Sequence, residues 1–162
     1  ILIRHSSISD WRNELKKMSR EEIEAFLMSG TRTGKVSTVR KDGRPHLAPI
    51  WFVLDSNNDN NNSIIFTTGN ESVKGKDMLR DPRVSLCVDD QTPPFSFVVI
   101  EGLAEINQEP DLDDLLKWTT KIAARYMGQD NAKAYGKRNA VIGEMLVKIR
   151  PTKIIAQKDM VG

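Results

Sequence analysis

Disulfide and metal chemistry are the first things this sequence lacks. Its only cysteine, Cys87, cannot form a bridge within the chain, which suits a reducing cytoplasm. Cys87 lies in an apolar run with Val84, Leu86 and Val88, so a buried, inert thiol is the expectation. Two histidines, His5 and His46, stand far apart, and no HxxxH or CxxC spacing occurs, so no metal site is expected. There is no P-loop, GxGxxG or GxSxG. No apolar stretch approaches the ~20 residues that cross a bilayer. The N-terminal residues lack the charged-then-apolar pattern of a signal peptide. A cytoplasmic protein without a membrane partner is expected. Charge of either sign is not in excess: 24 basic against 22 acidic side chains leave a net +2, which does not suit a nucleic-acid partner.

What is present fits one soluble domain spanning residues 1–162, with 39% hydrophobic and 28% charged residues. A helical N-terminal segment is expected over 8–30. Trp11, Leu15 and Met18 recur at helical spacing, and Ser19 with Glu22 forms a capping box ahead of Ile23, Phe26 and Leu27. Gly30 ends that helix. Alternation over "GKVSTVR", a turn at Asp42-Gly43 and the run "HLAPIWFVLD" read as a hairpin, the second strand buried on both faces. Pro49 in that strand indicates an edge or a bulge. "SNNDNNN" reads as a solvated hairpin tip and "SIIFTT" as a third strand.

A short helix follows at Val73–Leu79, then strands in "RVSLCVDD" and "FSFVVIEGLAEI", with a bulge at Gly102. Residues 111–141 form a helical insert. Leu112, Leu115, Leu116, Thr119, Ile122, Ala123 and Tyr126 share one face, and Gly128 is the stop. "GEMLVKIRPTKIIAQ" supplies one or two closing strands. The barrel should therefore comprise residues 34–106 and 143–157. About six antiparallel strands with few helices define a mainly β, α+β protein built as a closed or partly closed barrel.

One stretch carries candidate chemistry. In "TTGNESVKGKD", Thr67, Thr68, Ser72 and Lys74 place hydroxyls and a cation around the start of a short helix, where an anion is well received. The plain alternative is a strand end followed by an N-capping Ser or Asn. In "DGRPHLAPIWF", Trp51 and Phe52 could lie against a planar ligand, or pack in a core beside an edge proline.

The ordered set "DGRP", strand, polar hairpin, "FTT", Ser-x-Lys helix, "DPRVSL" and "IEG" resembles the pyridoxamine 5′-phosphate oxidase-like family, over roughly residues 20 to 157. The resemblance implies a six-stranded antiparallel split β-barrel of the FMN-binding type. It implies that Ala48, Pro49, Ile50, Trp51, Phe52 and Val53 run beside a flavin ring. By the same resemblance Thr67, Thr68, Ser72, Val73 and Lys74 meet the ribityl chain and phosphate, and the cofactor lies at a homodimer interface. Val73 stands where true oxidases carry an arginine beside the lysine, Ala48 where they carry another arginine, and Phe97 where they carry a glutamine. These departures disfavour oxidation of pyridoxamine phosphate itself.

The phrasing "TVRKDGRPHLAPIWF…DPRV" is more similar to probable coenzyme F-420-dependent reductases. Asp77 takes the place of their usual asparagine. Lys76, Arg80, Arg125 and Lys137 could form a basic track for that cofactor's tail, or be ordinary solvated helix charges. The implied function is hydride transfer between FMN or coenzyme F-420 and a small organic substrate, with no catalytic residue named. The rivals are a non-catalytic FMN or tetrapyrrole carrier, and a nucleic-acid-binding barrel.

Overall fold

The structure is a computed structural model, and it describes residues 16–56 and 62–161. The expectations for Trp11, Leu15, His5 and most of "SNNDNNN" lie outside the described residues. One eight-stranded antiparallel sheet forms the body of the molecule. Its strands are β1 (Lys16–Lys17), β2 (Gly34–Val39), β3 (Pro45–Ile50), β4 (Val53–Asp55), β5 (Ser63–Gly69), β6 (Arg83–Asp90), β7 (Ser96–Asn107) and β8 (Glu144–Lys158). Among the described residues four helices accompany it: α1 (Arg20–Met28), α2 (Val73–Arg80), α3 (Leu112–Met127) and α4 (Gln129–Asn139).

The sheet runs β3-β2-β6-β7-β8-β5-β4, and β1 adds to β8. β3 and β4 are therefore the two ends of the sheet, although only Trp51 and Phe52 separate them in the chain. A two-residue step can join opposite edges only if the sheet curls until they meet. The result is a split barrel: rolled, but not closed by hydrogen bonds. Phe52, Phe66, Ile64, Leu86, Val36, Val147 and Ile149 fill its interior and are almost completely buried.

The expected strands are all present. The eight-stranded count arises because the second strand breaks in two and the Lys16–Lys17 pair adds β1. That break corrects the expectation of a strand buried on both faces. β3 is an edge strand whose residues are largely exposed, and only Ile50 at its end is buried. Met18 is not helical: it connects β1 to α1, whose Ser19–Glu22 capping box is complete. The closing segment is a single strand that keeps its pairing with β7 through the "RPT" sequence by a register shift at Glu101/Gly102. A side chain at Gly102 would come within 2.6 Å of the Arg150 carbonyl, so glycine is required there. Cys87 is half-buried rather than buried.

α3 packs on the outside of the sheet through Leu115, Trp118, Thr119, Ile122 and Ala123. Trp118 replaces Leu112 on the buried face, and Leu112 is exposed because it sits in the first turn, before the helix reaches the sheet. A second small core forms where Trp118 and Ile122 meet Val53 and Ile65. The hydroxyl of Thr119 donates to the Gly136 carbonyl at 2.9 Å, which locks α4 against α3.

Candidate functional site

The step between the two sheet edges is held by α3. Arg125 donates from Nη1 to the Phe52 carbonyl at 2.7 Å, from Nη2 to the Leu27 carbonyl at 2.7 Å, and from Nε to the Gly30 carbonyl at 3.0 Å. Its guanidinium also stacks over the rings of Phe52 and Tyr126. Tyr126 Oη donates to the Arg32 carbonyl at 2.8 Å and accepts from the Phe52 N–H at 3.3 Å. Both backbone groups of Phe52 are thus occupied, and its ring belongs to the core. Burial lowers the affinity of Arg125 for its proton and raises that of Tyr126. Arg125 is a structural cation, not part of a basic track.

Beside this step lies a cleft of about 290 Å³ lined by Pro49, Ile50, Trp51, Thr67, Lys74, Ile122, Asn139 and Glu144. The end of β3, the middle of β5, α2, α3, α4 and the start of β8 all contribute to it. Side chains alternate across a strand, so the threonine pair divides. Thr67 faces the cleft, whereas Thr68 is buried and its hydroxyl meets Ser72 Oγ at 2.8 Å. Ser72 accepts from the Gly75 N–H at 3.0 Å and is the N-cap of α2. Lys74, on the first turn of α2, then enters the cleft.

The expected site residues therefore fall into three groups. Pro49, Ile50, Trp51, Thr67 and Lys74 line the cleft together. Thr68 and Ser72 form the cap that positions Lys74. Ala48 is half-buried on β3, Val53 is buried in the second core, and Val73 lies on the other side of α2. That other side borders a wider groove of about 640 Å³, with Arg40, Lys41, Arg44, Lys76 and Arg80 among its lining. Asp77 is buried at its floor, accepting from Thr38 Oγ1 at 2.9 Å and Arg80 Nη2 at 3.0 Å. Asp77 ties α2 to β2.

Ile122, Asn139 and Glu144 are the cleft residues that the sequence did not indicate as site residues, and Glu144 is the charged one among them. It opens β8 directly across from Gly69, a pairing set by the distant register of β5 and β8. Burial pushes its carboxyl above the ordinary value, while the Thr67 hydroxyl and the Lys74 ammonium pull the other way. Among the described residues, Lys74 and Glu144 are the only charged ones lining the cleft. Among the described residues no cluster of His, Cys, Asp or Glu could hold a metal ion.

The chemistry of this cleft is thus a cation and a hydroxyl at one end and an aromatic-backed strand edge at the other, on a split-barrel frame. The chain belongs to the pyridoxamine 5′-phosphate oxidase family, whose model matches residues 19–158. Solved structures agree. The conserved hypothetical protein Rv2991 of Mycobacterium tuberculosis is 30% identical with a TM-score of 0.74, covering 88% of this chain and 86% of its own. An F-420 reductase is 25% identical with a TM-score of 0.60, over 81% of this chain and 94% of that one. General Stress Protein 26 of Bacillus anthracis is 25% identical with a TM-score of 0.61, over 86% and 95% of the two chains. No helix among the described residues is long and apolar enough to cross a membrane.

Proposed function

We propose that this chain binds a flavin-type cofactor, FMN or coenzyme F-420, and uses it to exchange a hydride with a small organic substrate. The observation that carries the proposal is the convergence of Lys74 and Thr67 with Pro49, Ile50 and Trp51 in one cleft. Lys74 and Thr67 would hold the ribityl phosphate as cation and hydroxyl donor. The strand edge from Pro49 to Trp51 would run beside the ring. The cofactor supplies the hydride chemistry, and the protein binds, orients and excludes water. The F-420 reductase among the similar structures supports this reading. The groove containing Lys76 and Arg80 offers positive charge beyond α2 for an anionic tail.

We also propose that the working form is a homodimer. At about 290 Å³ the cleft falls just below the size of small-molecule sites, which run roughly 300–1,000 Å³. A second copy would cover a ring lying across the exposed edge at Leu47 and Trp51, which are 66% and 40% exposed. Ile154 and Ile155 add apolar surface on a stretch of β8 paired only with β7. Sedimentation of the protein at micromolar concentration tests this, and a monomer with full cofactor affinity would overturn it.

The cofactor reading is tested by titrating the protein with FMN and with coenzyme F-420 and following their fluorescence. A hydrogen bond to a charged group is worth roughly 1.5–3 kcal/mol, so Lys74→Ala weakens binding about ten- to a hundredfold. Unchanged affinity in that variant would remove the phosphate site from Lys74. A reduced cofactor that no acceptor reoxidises would mark a carrier in place of an enzyme.

A further inference from the structure

We infer that Met28 is an oxidation site for hydrogen peroxide, and that its sulfoxide loosens the tie between α1 and the step that walls the cleft. The effect on this frame stands by itself, and the effect on cofactor affinity rests on the cofactor reading above. Of the six methionines, Met78 and Met145 are buried and Met18 and Met127 half-buried, whereas Met28 and Met160 are each 39% exposed. A thioether is oxidised where peroxide can reach it, so these two react first. In the reaction the sulfur gives up two electrons and takes one peroxide oxygen. The O–O bond breaks, and the other oxygen leaves as water.

Arg125 sets Met28 apart. Met28 is the last residue of α1, and its Sδ accepts from Arg125 Nη1 at 3.6 Å. The same nitrogen donates to the Phe52 carbonyl, while Nη2 and Nε hold the Leu27 and Gly30 carbonyls on either side of Met28. Arg125 is thus the clasp between the end of α1 and the step at Phe52, and Met28 sits on that clasp. Met160, after β8, bonds through its N–H to the Phe95 carbonyl and is not among the partners of Arg125.

A thioether is a weak acceptor that asks little of its donor. A sulfoxide is polar, and its oxygen is a much stronger acceptor beside an N–H already aimed at the sulfur. With sulfur and nitrogen 3.6 Å apart, an oxygen added between them has less than the roughly 2.7–3.2 Å that an N–H···O bond needs. The guanidinium has to withdraw to bond the new oxygen, and its contact with the Phe52 carbonyl is the one that reaches across to another element. The change has a direct route to the cleft. Trp51, next to Phe52, lines the cleft, and Tyr126, next to Arg125, stacks on Trp51.

The test treats the intact protein with hydrogen peroxide and maps the added oxygen by peptide mass spectrometry. Met28 and Met160 are expected to be modified ahead of the other methionines. Oxidation should lower the melting temperature by about 2–4 °C. It should also weaken the near-ultraviolet circular dichroism of the Trp51–Tyr126 stack and reduce affinity for FMN or coenzyme F-420 roughly three- to tenfold. Met28→Leu, close to methionine in volume, should keep the untreated values and lose nothing on treatment, although Met160 and Cys87 are still present. Met28→Gln, whose amide oxygen stands in for that of the sulfoxide, should show the losses without peroxide. Methionine sulfoxide reductases of both stereospecificities should restore the wild-type values. Losses that persist in Met28→Leu, or a Met28 that stays unmodified while Met160 reacts, would overturn the inference. So would an oxidised protein that melts as before. If the melt falls reversibly but cofactor affinity holds, the link to the cleft has failed. If untreated wild type binds neither FMN nor coenzyme F-420, the cofactor reading has failed, and the melt and the dichroism still decide the role of Met28.

Discussion

The indole of Trp51 lies flat against the ring of Tyr126, with centroids 4.9 Å apart and planes 2° from parallel. Trp51 belongs to the step between the sheet edges and Tyr126 to α3, so the stack joins the cleft wall to the helix that braces it. The Tyr126 hydroxyl then reaches past the indole to the backbone of Arg32 and Phe52.

Tyr126→Phe should keep the stack and lose both hydroxyl contacts. The expected cost is about 1–2 kcal/mol in denaturant unfolding, because the Arg32 carbonyl and Phe52 N–H lose their partner in a half-buried setting. An unfolding midpoint equal to wild type would show that water replaces the hydroxyl without loss.

Arg125→Met should cost more, about 3 kcal/mol, since it strips charge-assisted partners from three carbonyls at once. Arg125→Lys should not restore stability, because an ammonium cannot present the planar fork that reaches Leu27, Gly30 and Phe52 together. Full recovery with lysine, read from thermal melts, would mean that charge alone matters.

Gly75→Ala tests how Lys74 is positioned. A Cβ at Gly75 would stand 2.8 Å from Met145 Cε, 2.9 Å from the Gly69 carbonyl and 2.9 Å from Ser72 Oγ. Met145 can yield, but the carbonyl and the cap cannot without moving the first turn of α2. We expect about tenfold weaker FMN binding with a smaller loss of stability, as a small displacement of Lys74 weakens a short charged contact. Wild-type affinity would show that the added methyl is absorbed without displacing Lys74.

The first turn of α2 also shows where the sequence was informative and where it was not. Capping residues, turn glycines and alternation are local signals, so Ser19, Ser72, Asp42-Gly43 and Gly128 marked element boundaries correctly and Gly102 marked the bulge within β7. The division of Thr67 from Thr68 was implicit in strand alternation but required knowing which face of β5 meets the cleft. Glu144 and Tyr126 were not legible as site residues. Glu144 reaches the cleft through the register of β5 on β8, and Tyr126 through the packing of α3 across the edge-to-edge step. The break at Trp51-Phe52 was hidden because an unbroken apolar run reads the same whether it continues one strand or joins two.

Glu144 makes a prediction about stability as well. Its carboxyl is raised from the ordinary value of 4.5, first by burial, so between that value and its folded value the native state holds the proton more firmly than the unfolded chain does. Stability conferred by the protonated form is present below pH 4.5 and lost as pH rises through the folded value. Glu144→Gln should therefore be the more stable protein at neutral pH, and the two should converge in acid. Thermal melts across that range measure the difference, and a gap that widens toward low pH would reverse the sign of the effect.

The edge-to-edge step bears on how the chain acquires this shape during synthesis. β5 has two partners, β4 and β8, and β8 follows every other described strand in chain order. A nascent polypeptide released as far as α4 has both β4 and β5 but no seat for them in the main sheet. The cleft wall at Thr67 waits for the same event, since Glu144–Ile149 lies along β5. Pairings between segments so far apart in sequence form late and leave apolar edges uncovered meanwhile. The lateness of that edge burial, and not only final stability, is thus written into the order of these strands.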